Sequence, residues 1–110
     1  MNIEISKTEK AVEVIKEEIE SKGLKVIKII LFGSRARGNA KEDSDWDFLV
    51  VVDKKLSFNQ KWDIIINIKR ELAKLKIPND IIINSIEEFE ERKNNVGYIT
   101  YYAVREGKTL

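Results

Sequence analysis

The chain contains no cysteine and no histidine. Without cysteine there is no disulfide framework and no thiol catalysis. Without either residue the usual zinc sites and every Ser-His-Asp or Cys-His relay are excluded. Catalysis in such a chain runs on carboxylates, lysines, hydroxyls or a hard cation held by oxygen. Long apolar runs are missing too: the longest, Phe48 to Val52, has five residues, far short of a membrane span. The amino-terminal stretch MNIEISKTEK is charged throughout and lacks the apolar core of a signal peptide, so a cytoplasmic location is expected. An excess of one charge sign is also absent. Lys plus Arg number 20 and Asp plus Glu 19, a formal net charge of +1, which gives no bulk field for coating a nucleic-acid backbone.

What is present is a globular composition, 43% hydrophobic and 35% charged over 110 residues, with no repeat, linker or low-complexity tract. A single domain spanning residues 1–110 is expected, burying roughly two-thirds of the surface its unfolded chain exposes. Ser6 with Glu9 reads as a capping box opening a helix from about Lys7 to Ser21, with Ala11, Val12, Ile15 and Ile19 at helical spacing and Gly23 as its stop. Val26 to Phe32 reads as a buried strand. Gly33 to Asp43 reads as a connection holding at most one helical turn.

Trp46 to Val52 is the second expected strand, central in the sheet because its later half is apolar on both faces. Trp46, Phe48, Val50 and Val52 alternate away from the neighbouring aspartates and are expected in the core, with Trp46 at its edge. Ser57 with Gln60 opens a helix to about Lys76 that carries Trp62, Ile65, Ile66, Lys69 and Leu72. Pro78 ends it, Asp80 to Ile83 is the third strand, Ser85 with Glu88 caps a short helix, and Tyr98 to Arg105 forms the last. Strands separated by helices give an α/β layer domain with a small mixed sheet.

Two features carry chemistry. Gly33-Ser34 closes the first strand and runs into Arg35-Ala36-Arg37-Gly38. Ser44-Asp45-Trp46-Asp47 opens the second. Asp45 and Asp47 leave the same face of a strand with Cα atoms roughly 6.5 Å apart, a spacing that lets both carboxylates meet one cation or a close pair. An all-oxygen donor set selects Mg²⁺ or Mn²⁺. Gly33 permits close approach of a phosphate, Ser34 offers a hydroxyl and N–H groups at a helix start, and Arg35 and Arg37 are candidates to meet phosphate oxygens. Taken singly, Asp-x-Asp at a strand start is more often a solvated end, and Gly-Ser a plain turn. Their order is the informative part.

The stretch GSRARGNAKEDSDWDFLVVV resembles the signature of the minimal nucleotidyltransferases of the polymerase-beta superfamily, Gly-Ser-x-Ala-Arg-Gly, a spacer, then Ser-Asp-x-Asp. Gly33, Ser34, Ala36, Arg37, Gly38, Ser44, Asp45 and Asp47 all match. The resemblance implies the polymerase-beta-like nucleotidyltransferase fold and transfer of a nucleoside monophosphate from an NTP with two divalent ions, Mg²⁺ or Mn²⁺. It also implies a third carboxylate on a neighbouring strand. Asp80 is similar to that acid. Asp53 lies six residues beyond Asp47, roughly 20 Å along an extended strand, and is out of reach. On this reading Asp45, Asp47 and Asp80 are catalytic and metal-holding, while Gly33, Ser34, Arg35 and Arg37 face the triphosphate.

Larger relatives complete the acceptor site with an added helical domain that this chain lacks, so a partner chain or a second copy is expected to supply that surface. The minimal form is commonly the antitoxin of a HEPN toxin, on which it adenylylates a tyrosine using ATP, and that is the leading expectation here. The alternatives are AMP transfer to a small molecule of the aminoglycoside type, and an antitoxin that acts by contact alone. The Tyr98, Tyr101 and Tyr102 cluster is expected to serve packing or partner contact, and the Glu87 to Lys93 charge run a solvated helix face.

Overall fold

The computed structural model describes residues 3–110. The elements follow in the order α1 (Ile3–Glu20), β1 (Val26–Phe32), α2 (Ser34–Arg37), β2 (Trp46–Val52), α3 (Phe58–Lys74), β3 (Asn79–Ser85), α4 (Ile86–Arg92), α5 (Ile99–Glu106) and β4 (Lys108–Thr109). The strands form one sheet in the order β3-β2-β1-β4. β1 runs antiparallel to β2 and to β4, whereas β2 and β3 are parallel and joined by the α3 crossover.

Local sequence explains most of these boundaries. At Ser57 and Ser85 the serine hydroxyl accepts from the N–H three residues on, and the Gln60 or Glu88 side chain accepts from the serine N–H, so both expected capping boxes are formed. At the third expected box, α1 begins at Ile3, so the backbone of Ser6 lies inside the helix and not at its cap position. Neither glycine nor proline interrupts Ile3 to Ile5, and nothing there stops the helix from running back past the serine. Burial works against ionisation of Glu88, yet hydrogen bonding with Ser85 and the charges of Lys61 and Arg92 hold its carboxyl below its ordinary range.

Both faces of the sheet are covered. On one, Ala11, Ile15 and Ile19 of α1 and Ile64, Ile65, Ile68 and Leu72 of α3 pack on Ile29, Leu31, Trp46, Phe48, Val50, Val52, Ile81 and Ile83. On the other, Phe89 of α4 and Ala103 of α5 pack on Ile30, Phe32, Leu49 and Val51. This double cover is why β2 is apolar on both faces and why it is the strand flanked by β1 and β3. Trp46, expected at the core's edge, is 2% exposed. The inner stripe of α3 departs from the expected one: Trp62 and Ile66 remain 47% and 48% exposed, and Ile64 and Ile68 take the inward places.

The third strand is longer than expected, running on to Ser85, and the fourth was not expected at all. β4 pairs Thr109 with Ile30 and Lys108 with Leu31. It is set against β1 by Gly107, where a Cβ would strike Ile30 and the carbonyl oxygens of Ala103 and Leu31. Among the described residues no helix is long and apolar enough to cross a membrane.

Candidate active site

Topology brings the chemistry-bearing segments to one end of the sheet. β1 finishes there at Phe32, and its antiparallel partner β2 starts there. β3, parallel to β2, starts there as well. Phe32, Asp47 and Asp80 therefore form one rung across three strands. Neighbouring strands lie roughly 4.8 Å apart, so Asp47 and Asp80 leave the same face side by side. Asp45 sits two residues before Asp47, just outside β2, and is exposed.

The electrostatics record this crowding. Burial raises the Asp47 carboxyl above its ordinary value, Asp80 and then Asp45 raise it further, and Arg37 pulls it the other way. Three anions gathered with only partial balance from Arg37 disfavour ionisation of the one at the centre, which is what a hard cation would relieve. The donor chemistry fits Mg²⁺ or Mn²⁺. The three carboxylates are neighbours without converging on a point, since among the described residues no group of three stands close enough to hold a metal ion. Asp80 is 57% exposed and faces Lys69 of α3, whose Nζ lies 3.9 Å from its Oδ1. The same ammonium donates to the Asn79 carbonyl oxygen at 2.9 Å.

Gly33 follows β1 with φ 75° and ψ −158°, a conformation glycine adopts without strain. A Cβ at this position would collide with the Asp47 carboxylate. The missing side chain is thus what lets the turn lie against the acid. From Gly33 the chain makes one helical turn, with the Ala36 and Arg37 N–H groups donating to the Gly33 carbonyl oxygen and Gly38 closing it at φ 81°. Arg37 reaches Glu106 at the end of α5 at 3.4 Å, and it is close enough to influence Asp47.

Arg35, expected to face phosphate, is held elsewhere. Its Nη2 donates to the Ser44 carbonyl oxygen at 2.8 Å and to that of Glu42 at 3.0 Å. Its guanidinium carbon stands 3.6 Å from the centroid of the Trp46 ring. Since Trp46 packs in the α1/α3 core, Arg35 lies toward the face away from Asp47. The sequence marks Lys69 only as a member of the α3 stripe, with no role at the acids, and does not mark Glu106. A lysine at helical spacing with Ile65 and Leu72 was the available signal for the first; nothing local marks the second. The tyrosines meet neighbours at the surface, with Tyr98 and Tyr102 exposed: Tyr101 and Tyr102 meet edge to face at 5.1 Å, and Arg105 and Arg92 stack on Tyr101 and Tyr98.

Residues 12–104 match the nucleotidyltransferase domain family. A Methanocaldococcus jannaschii protein, provisionally named a protein adenylyltransferase, is 38% identical over 87 residues, which are 78% of this chain and 78% of its own. The protein adenylyltransferase MntA of Aphanizomenon flos-aquae is 33% identical over 89 residues, 74% of this chain and 54% of that protein, so this chain spans about half of that relative. Among solved structures, the MntA–HpeT toxin–antitoxin complex superposes with a TM-score of 0.62 at 18% identity, over 92% of this chain and 69% of that one. A toxin–antitoxin complex with AMP-PNP gives 0.62 at 19%, over 89% and 67%. The MNT antitoxin bound to the tri-AMPylated HEPN toxin of Shewanella oneidensis gives 0.60 at 17%, over 96% and 70%. At such identities the likeness is one of fold.

Proposed function

The chain belongs to the nucleotidyltransferase domain family, and from that premise we propose that it transfers AMP from ATP to a tyrosine hydroxyl of a HEPN-type helical toxin, acting as its antitoxin. The observation that carries this reading is the rung of Asp47 and Asp80 set against the Gly33 turn. It supports an acidic centre beside a phosphate-accepting loop, the pairing that nucleotidyl transfer needs. The names of the sequence relatives support a protein acceptor, and the MNT–HEPN complexes that share the fold support the class of partner.

Asp45, Asp47 and Asp80 would hold Mg²⁺ or Mn²⁺, two ions in this reading. Bound there, the metal supplies positive charge to phosphate oxygens and lowers the pKa of a hydroxyl. The chain's own groups do the rest. The Gly33–Ser34 turn presents backbone and hydroxyl donors to the triphosphate, and Arg37 offers charge to the departing pyrophosphate. Asp80, the most open of the three acids together with Asp45, accepts the proton of the tyrosine hydroxyl. The hydroxyl oxygen bonds to the α-phosphorus as the bond to pyrophosphate breaks. Arg35 takes no phosphate role here, because Ser44, Glu42 and Trp46 already engage it.

The test is incubation with ATP labelled at the α-phosphate, Mg²⁺ and any HEPN-type protein found encoded beside this chain. Label on that protein, lost when its acceptor tyrosine becomes phenylalanine, is the expected result. Inhibition of the partner without label would instead make this chain a contact antitoxin. Label on an aminoglycoside and on no protein would make it a small-molecule enzyme.

A further inference from the structure

Asp45 lies between two residues that the same guanidinium holds. Ser44, directly before it, accepts Arg35 Nη2 at 2.8 Å and Nε at 3.2 Å through its carbonyl oxygen. Trp46, directly after it, lies face-on under the guanidinium at 3.6 Å. A third bond, Nη2 to the Glu42 carbonyl oxygen at 3.0 Å, reaches further back along the same link. Trp46 is itself fixed, its N–H donating to Pro78 at 2.9 Å and its indole Nε1–H to Thr8 at 3.2 Å. The link from Gly38 to Ser44 has no helix or strand of its own. At its start the Gly38 and Asn39 N–H groups donate to the Ser34 carbonyl oxygen, and Ser44 makes a small turn on Lys41; over the Glu42–Ser44 end, Arg35 ties it to the helical turn.

We propose that Arg35 is a positioning residue that sets Asp45 relative to Asp47 by bracketing it through Ser44 and Trp46. Arg35 stands on the helical turn that Gly33 opens, and Gly33 abuts the Asp47 carboxylate. Turn, link and acid pair are thereby joined into one unit, in which the phosphate-facing loop and the two carboxylates keep a common register. Only a planar fork can do this, since it must donate along its edge to two carbonyls while stacking its face on an indole; an ammonium cannot do both. The proposal rests on the reading of Asp45 and Asp47 as metal-holding acids, and it goes beyond it by giving a role to the unspecified position of the Gly-Ser-x-Ala-Arg-Gly pattern.

Arg35→Met and Arg35→Lys in the full chain test it by three measurements: amide hydrogen exchange over residues 39–46, Mn²⁺ affinity by electron paramagnetic resonance, and steady-state transfer kinetics. With a folded Arg35→Met protein, exchange in that segment accelerates while the β1 and β3 amides keep their protection. Mn²⁺ affinity falls by on the order of tenfold, as when a ligand loses its supporting contact, and kcat falls with the KM for ATP within about twofold of the parent. Arg35→Lys lies between the two, and it decides the matter on the same readouts if the methionine variant does not fold. Unchanged exchange and Mn²⁺ affinity with a raised KM for ATP would overturn the proposal and return Arg35 to phosphate. If the parent chain neither binds Mn²⁺ nor transfers nucleotide, the reading of the site fails, while the exchange measurement still judges whether Arg35 holds the link.

Discussion

Asp47 and Asp80 face each other across parallel strands, and each is the residue the other's register selects. Asp47 is the more enclosed of the two, and its carboxyl is raised by burial first and then by its acidic neighbours. A native value above the unfolded one means that the folded state holds more protons in the window between them. Stability therefore falls as pH rises from the ordinary carboxylate range through the raised value. Asp47→Asn, which cannot ionise, is expected to melt higher than the parent at neutral pH in the absence of divalent ions, and to match it in acid. Thermal melts across pH check this. The same variant is expected to lose transfer altogether, and a folded, active Asp47→Asn protein would end the assignment of this acid.

Gly33 offers a sharper contrast. Gly33→Ala forces a side chain into a positive-φ position and into the Asp47 carboxylate. Gly23 shares the positive φ, at 79°, but a Cβ there meets nothing within 4 Å. Gly23→Ala is expected to cost about 1 kcal/mol from backbone strain alone, with transfer unchanged. Gly33→Ala is expected to lower stability further and to reduce transfer by at least about tenfold, because the acid must move. Denaturant melts paired with initial rates distinguish the two.

An all-carboxylate site without histidine or cysteine should be silent without a hard cation. Chelation is expected to abolish transfer, and Mg²⁺ or Mn²⁺ to restore it. Added divalent ion should also raise the melting temperature of the parent chain and leave that of Asp47→Asn nearly unmoved, a calorimetric comparison that does not depend on activity.

The Glu88 carboxyl behaves in the opposite sense to Asp47. Its native value is lowered despite burial, through Ser85, Lys61 and Arg92. The stability it adds is present above the ordinary glutamate value and is lost as pH falls through the lowered one. Glu88→Gln keeps an acceptor for the Ser85 N–H but loses the charge that meets Lys61 at 3.7 Å and Arg92 at 3.4 Å. It is expected to destabilise by less than about 1 kcal/mol at neutral pH, with the difference vanishing in acid. Urea melts at two pH values measure it.

Much of this was legible because the relevant signals are local. The boundaries of β1 and β2, two of the three capping boxes and the Gly33 turn each depend on a few adjacent residues, and each is where the periodicity and the serine spacings put it. Gly33, Asp45 and Asp47 could be grouped because one hairpin connects them. Asp80 needed the family resemblance, since nothing in its own surroundings says which strand it will pair with. The rest depended on tertiary contact. Ser6 carries the right side chain for a cap, but the residues before it are helical too. Lys108 and Thr109 have no strand pattern; β1 and the tight approach at Gly107 impose one. The inward stripe of α3 shifts by one or two residues because the pairing of helix and sheet, and not the count of apolar residues, decides which isoleucines point in. Arg35 reads as a phosphate ligand because an arginine beside a Gly-Ser turn looks like one, and only the tertiary position of the Trp46 ring shows what its guanidinium packs on.

The rung of Phe32, Asp47 and Asp80 also orders events as the chain folds. Two of its members belong to a hairpin whose ends are near neighbours in sequence, so their pairing closes a short loop. The third arrives only after a whole helical crossover has been laid down and its strand has docked, the slower kind of closure. A chain caught before that step would carry the glycine turn and two acids but lack the third. Partly folded or newly made molecules would then have no competent centre, and catalytic readiness would coincide with completion of the sheet.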